Sequence, residues 1–598
     1  MADLVKELIQ ETPPLAWFPF LLLLPFLLFA HRWLTTAKTG KNEQQQENRL
    51  PPSPPALPVI GHLHLVGSRP HVSLRSLARK HGPDVMLLRL GAVPTLVVSS
   101  PRAAEAVLRT HDRVFASRPR SVVADIILYG SCDVAFAPYG EYWRQAKKLM
   151  TTHLLSVRRV QSFRGAAIEE VSTVMAKISE VATAGGMVDM SELLNSFSND
   201  MACRIVSGKF FLKEGRTELL RDLINDSSQL LGGFNLEDYF PTLARVGVLK
   251  RTVCAKAERL RNRWDSLLAK VIDDRVSKEK STSDHKDADF VDILLSVQHE
   301  YDLTREHMKA LLTDVFFAAI DTSSNTLEFT LAELMRRPYL MRKLQDEVRS
   351  IVPQGQEFFS EDNMNNMTYL RAVIMESLRL HPVAPFLAPH LAMADCSING
   401  YMVPAGTRVI INVWAIGRDP TSWEDAEEFR PERFVEGGSD VHVNFKENGF
   451  KFLPFGAGRR MCPGINLGIA NVELMLANLM YHFDWEPTPG LDRRDIDMTE
   501  IIPLHTCIPD CNSEFSTWFQ TATMNAQSSV RKGAKSIIIL IIWRLWKTRN
   551  DAVFKNTAPN RQDLVVSILE EAKLWMIAGA KALRRLPLHA RPPDAEPP

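Results

Sequence analysis

FGAGRRMCPG, residues Phe455 to Gly464, gathers an aromatic ring, glycines, two arginines and a proline around one cysteine. Five positions carry its chemistry: Phe455, Gly458, Arg460, Cys462 and Gly464. At residue frequencies of about one in twenty, five such positions fall together by chance about once in several thousand chains of this length. Glycine lacks a Cβ, so Gly458 and Gly464 can take φ > 0 and let the backbone turn tightly beneath a flat ligand. Arg460 offers a planar fork of donors suited to a carboxylate, and Phe455 would shield the sulfur. A buried structural cysteine beside a turn is the commoner fate of a cysteine, but it does not account for the other four positions. A lone thiolate in a dry, hydrogen-bonded turn suits a haem iron, because thiolate ligation pushes electron density towards bound oxygen.

Working outward, the commonest pattern is helical. The longest apolar-periodic stretch, Thr304 to Arg336, is long enough to cross a whole domain. Val85 to Ser99 and Thr407 to Val413 carry the β-branched residues and turn punctuation of strands. No repeat of solenoid or propeller period is present. These features predict a mainly α fold with a minor β-sheet portion. The formal charge of +1 gives no global electrostatic reason for a nucleic-acid partner, and none is expected. Seven scattered cysteines do not form a disulfide framework and fit a reducing, cytosol-facing compartment. Cys507 and Cys511 lack the further ligands of a zinc site and are ordinary thiols by this criterion.

The ends differ from the body. Leu15 to Ala30 is sixteen residues without a charge, flanked downstream by His31, Arg32, Lys38 and Lys41. It reads as a signal-anchor that leaves the remainder cytosolic, since no small-residue cleavage site follows. Five prolines between Pro51 and Pro58 forbid a helix and predict a stiff, extended connector. Arg531 to Pro598 carries a net charge of +7 and an apolar run, Ile537 to Trp546, too short to span a bilayer.

The Cys462 stretch resembles the haem-binding signature of the cytochromes P450, and companion motifs follow in that family's order from Leu50 to Glu500. Glu376 and Arg379 in ESLR resemble the family's E-x-x-R pair. Arg433 in FRPERF resembles the third member of its Glu-Arg-Arg structural triad. AAIDTS, Ala318 to Ser323, resembles the A-G-x-D-T motif of the central helix, which makes Asp321 and Thr322 the proton-delivery residues. Ala319 stands where glycine is commoner and adds a methyl group there. YWRQAKKL, Tyr142 to Leu149, resembles the W-x-x-x-R helix, so Trp143 and Lys147 would meet a haem propionate; lysine keeps the charge and loses the bidentate fork. His390, in APH, occupies the place of a further propionate-binding arginine.

The resemblance implies a cytochrome P450 fold with an N-terminal transmembrane anchor, haem b with Cys462 as axial ligand, and incorporation of one atom of O2 into substrate. Electrons would come from NADPH through a separate reductase, because the chain has no Gly-rich dinucleotide fingerprint of its own. Arg144, Lys148 and Arg459 are docking candidates. The wording of the body is similar to the plant A-type group, and within it to indolin-2-one monooxygenase-like enzymes, which implies a small apolar or aromatic, indole-derived substrate and an endoplasmic reticulum membrane location. Ile126, Ile127, Leu128, Phe316, Phe317 and Val383 to Phe386 are pocket candidates, equally expected as core. The organisation implied is an anchor (1–34), a linker with a Pro-rich hinge (35–61), a haem domain (62–510) and an extension (511–598) resembling the end of a plant retroelement reverse-transcriptase reading frame.

Two alternatives stand beside a monooxygenase. One is a haem-binding fusion product impaired by its altered ending, tethered to the membrane without catalysis. The other is a nucleic-acid-associated protein acting through the basic tail, whose binding would depend on salt.

Overall fold

The computed structural model describes residues 49–498 apart from 59, 209–215, 233–234, 242–246, 279–287, 353–358, 360, 446–448, 489 and 497. The anchor expected at Leu15 to Ala30, Cys507, Cys511 and the extension 511–598 lie outside the described residues. Among the described residues no helix is long and apolar enough to cross a membrane.

The β-branched runs form strands where the pattern places them. β1 (Val85–Leu90) and β2 (Val93–Val98) make an antiparallel hairpin. β3 (His390–Leu391), β4 (Cys396–Ile398), β5 (Tyr401–Val403) and β6 (Arg408–Ile411) follow much later in the chain. One sheet has the order β1-β2-β6-β3, with β2 and β6 parallel and Leu96 opposite Val409. β4 and β5 form a separate ribbon around Asn399-Gly400, whose φ angles of +51° and +81° suit a two-residue hairpin turn. The proline-rich connector is extended, as its composition requires, but it is docked: Leu87 N–H donates to Pro52 O at 2.9 Å and Met402 N–H to Arg49 O at 2.9 Å.

Helices supply most of the body, so the predicted class holds. The principal ones are α1 (Glu141–Leu149), α2 (Met190–Ser207), α3 (Gly247–Lys278), α4 (Arg305–Arg336), α5 (Pro338–Ile351), α6 (Thr368–Leu380) and α7 (Ile465–His482). α4 begins one residue inside the predicted stretch because Thr304 is its cap. The Thr304 hydroxyl accepts from His307 N–H at 3.1 Å, and His307 Nδ1 accepts from Thr304 N–H at 3.4 Å. Its 32 residues span about 48 Å and pack against α2, α3, α5, α6 and α7. Leu311, Leu312, Phe316, Ile320, Leu327 and Leu334 bury its apolar sides, each side chain stabilising by about 1.5–3 kcal/mol. One stripe differs: Ala318, Asp321, Thr322 and Asn325 keep surface in mid-helix, and spacing puts Asp314, whose carboxyl is buried, on the same face.

Candidate active site

Cys462 closes a turn that only particular residues permit. Gly458 has φ +68°, and a Cβ there would meet Leu108 O at 2.3 Å and Asp112 Oδ1 at 2.9 Å. The expectation of φ > 0 fails at Gly464, which sits at φ −88° as the residue preceding α7; Gly456, at φ +66°, supplies the other left-handed turn. Gly464 matters because its backbone N–H and that of Ile465 favour the charged form of the Cys462 sulfur. Burial pushes the Cys462 thiol up, while those two N–H groups and the Lys147 ammonium oppose that shift. The start of α7 thus presents its positive end to the Cys462 sulfur, the polarity that favours a thiolate over a thiol. Cys462 N–H donates to Phe455 O at 3.0 Å, so Phe455 also braces the turn through its backbone.

The cationic side of the site is more tightly engaged than the sequence suggests. Arg460 stacks over the Trp143 ring at 4.2 Å and donates to Ala116 O at 2.6 Å, Val134 O at 3.1 Å and Ala137 O at 2.6 Å. Trp143 Nε1–H donates to the same Val134 O at 3.0 Å. Lys147, one helical turn along α1, donates to Met461 O, next to the cysteine. His390 lies buried in β3, with Nδ1 2.8 Å from Phe115 O. Burial and the nearby Arg118 hold it down at about 3, so it is neutral at physiological pH. A proton on Nδ1 makes its other ring nitrogen an acceptor, which suits a carboxylic acid rather than a carboxylate.

α4 brings Asp321 and Thr322 to its accessible stripe. The Thr322 hydroxyl donates to Ala318 O at 2.6 Å, a back-bond typical of threonine within a helix. Ala319 is half-buried beside them and Ala318 is exposed.

Glu376, Arg379 and Arg433 meet without solvent: the side chains are 0 % exposed. Arg379 grips Glu376 with two bonds, 2.7 Å and 2.8 Å, because i and i+3 share a face of α6. Arg433 Nε lies 3.1 Å from both carboxylate oxygens. The remaining donors go to backbone carbonyls, including Ala426 O at 2.7 Å and Glu424 O at 2.8 Å. The Trp423 ring lies 5.2 Å from the Arg379 guanidinium and 5.9 Å from that of Arg433.

A family model described as Cytochrome P450 matches residues 51–507. The chain belongs to the cytochrome P450 family. It is 53% identical over 493 residues to indole-2-monooxygenase of Zea mays, covering 81% of this chain and 92% of that protein. It is 51% identical to indolin-2-one monooxygenase of Zea mays, covering 79% and 89%. Among solved structures, a zebrafish cytochrome P450 with progesterone aligns with a TM-score of 0.60 at 28% identity, over 71% of this chain and 93% of that one. This P450 is therefore a monooxygenase by family.

The residues of this P450 fit a haem. Arg118, Lys147 and Arg460 crowd one another, so burial and mutual repulsion lower Lys147 to about 8 and Arg460 to about 9. Two haem carboxylates placed among them would relieve that repulsion, and Cys462 would be the residue to hold the iron. Of the docking candidates, Arg144 is paired with Glu141 and Arg459 with Asp112 at 2.7 Å, while Lys148 is exposed 6.0 Å from the Tyr301 ring. Among the pocket candidates, Ile127, Leu128, Phe316, Val383 and Phe386 are buried core, whereas Ile126, Phe317 and Ala384 keep surface. Sequence reasoning missed Arg118, Asp133 and Asp314. Asp314 alone left a signal, lying two helical turns before Asp321 on the same face.

Proposed function

We propose that this P450 inserts one atom of O2 into a small aromatic, indole-type molecule at a haem b ligated by Cys462, with electrons passed from NADPH through a separate reductase. The Cys462 turn, closed by Cys462 N–H on Phe455 O and held beside Lys147 and the Arg460–Trp143 stack, carries this reading. The names of the Zea mays relatives support the substrate class. When bound, the haem supplies oxygen activation. Lys147, Arg460 and Arg118 would bind and orient its carboxylates, Trp143 would position Arg460 through its ring, and His390 lines the same side. Thr322 holds a proton at Oγ1, committed to Ala318 O; delivering it requires release of that bond, with Asp321 resupplying the hydroxyl. Phe317 and Ala384 offer apolar surface to a flat substrate. The triad Glu376, Arg379 and Arg433 holds the haem domain together and touches no substrate.

The same reading places the chain at the endoplasmic reticulum membrane through a single-pass anchor at Leu15 to Ala30, catalytic domain in the cytosol. Residues 511–598 lie beyond the family match, which ends at residue 507; truncation at about Asp510 should leave haem binding unchanged. The decisive experiment is the reduced carbon-monoxide difference spectrum beside Cys462→Ala, followed by turnover of indole with a purified reductase. A thiolate-type band, absent in Cys462→Ala, is expected together with hydroxylated product. A normal band without turnover on indole-type compounds would leave a haem binder and remove the proposed activity.

A further inference from the structure

We propose that Asp314 is a positioning residue of the haem site, fixing Trp143 and Arg460 through the backbone of residues Asp133 to Ala137; this rests on the haem reading above. That segment is neither helix nor strand, so its backbone groups must find partners outside regular ladders. The N–H groups of Val134 and Ala135 both donate to Asp314 Oδ2, at 3.0 Å and 3.2 Å. On the other side, the Val134 carbonyl receives Trp143 Nε1–H at 3.0 Å and Arg460 Nη1–H at 3.1 Å. The Ala135 carbonyl receives Arg118 Nε–H at 2.9 Å, and the Ala137 carbonyl receives Arg460 Nη2–H at 2.6 Å. One short stretch of chain therefore has α4 on its amide side and three site side chains on its carbonyl side.

Asp314 is the anchor of this arrangement, and Asp133 is not. Asp133 Oδ2 accepts from Phe136 N–H at 2.7 Å, three residues on, which only closes the local turn. Its other oxygen is buried without a partner. Asp314 instead comes from α4, 179 and 180 residues away, and ties the turn to the stripe that also carries Asp321 and Thr322. A charged oxygen taking two N–H groups makes bonds roughly twice as strong as neutral ones. It also polarises the amides whose far ends accept from Trp143 and Arg460, since linked hydrogen bonds strengthen one another. Burial pushes both carboxyls above the usual range, Asp133 also through the negative charge of Asp314.

The test uses the full chain carrying Asp314→Asn, Arg460→Lys, or both. Haem release is timed by transfer to excess apo-globin, and hydrogen exchange is followed over residues 133–137. Asp314→Asn should speed release by about tenfold and raise exchange of that segment. The double variant should release haem more slowly than the product of the two single effects, because the two residues act on the same peptide units. Thr330→Ala removes a buried hydroxyl of α4 that bonds Thr326 O and Ser377, and serves as the control for general destabilisation. Purely multiplicative effects, unchanged exchange, or equal acceleration in Thr330→Ala would each overturn the proposal. If the unaltered chain gives no thiolate-type band, the haem reading fails by itself. The exchange comparison still decides whether Asp314 fixes the segment.

Discussion

Among the described residues, two of the clusters of buried charge in this P450 are built on opposite plans. Glu376, Arg379 and Arg433 form a closed set, in which side chains at 0 % exposure find one another and a ring of carbonyls. Around Cys462 the charges do not close among themselves. Arg118, Lys147 and Arg460 repel one another, the thiol is pushed up by burial, and Asp133 keeps an oxygen without a partner. The first cluster uses its electrostatics to hold α6 to the loop that carries Trp423 and the short 3-10 helix that carries Arg433. The second keeps its groups displaced from their ordinary ionisation, the arrangement in which a bound anion or a moving proton gains most. Removing a partner should therefore unfold one region and alter ionisation or turnover in the other.

The largest effect is expected in the closed cluster. Glu376→Ala leaves two guanidinium groups buried without their counter-charge, and breaking such a set costs about 3–5 kcal/mol. That is a large share of a typical total of about 5–15 kcal/mol. Denaturant unfolding should show the loss as a shifted midpoint, and the folded fraction should fall at 37 °C. A variant with an unmoved midpoint would dissolve the contrast, because the triad would then be decoration on a fold held elsewhere.

A smaller effect, of a different kind, belongs to the other cluster. Asp321→Asn keeps size and helix while removing the acid, so turnover with reductase should fall about 100-fold with the carbon-monoxide band intact. Equal loss of band and turnover would instead place Asp321 among the supports of the fold.

The legibility of the two clusters in sequence differs for a physical reason. Glu376 and Arg379 stand one helical turn apart, and the extent of α4 follows from its apolar period; such features are local and leave a pattern. The hairpin β1–β2 and the strand β6 were equally readable from β-branched runs. The Cys462 turn was recognisable by composition, yet its geometry was misjudged at Gly464, because the residue that opens a helix needs no special φ. The partners of Arg460 lie 323 to 344 residues away and are backbone carbonyls, which every residue possesses and no side-chain pattern marks. The same holds for His390. Its two-residue strand is defined by pairing with β6 and by Phe115 O, not by any run of its own.

His390 sharpens the comparison through pH. Its folded value of about 3 lies well below the unfolded value of about 6.5. Above about pH 6.5 both states are neutral and the residue adds no pH dependence. As the pH falls further, the unfolded chain binds a proton that the folded chain refuses. Folded stability then drops by about 1.4 kcal/mol per pH unit until the folded value is reached. His390→Asn keeps a donor for Phe115 O and removes the titration. Whatever the variant costs at pH 7, its deficit relative to the unaltered chain should shrink by about 2 kcal/mol at pH 5, read from unfolding midpoints at fixed salt. His71, also held low by burial at about 4, titrates alike in both proteins and cancels in the difference. A deficit that stays constant with pH would mean that His390 takes up its proton in place, and the side of the site it lines would then be far less dry than its burial indicates.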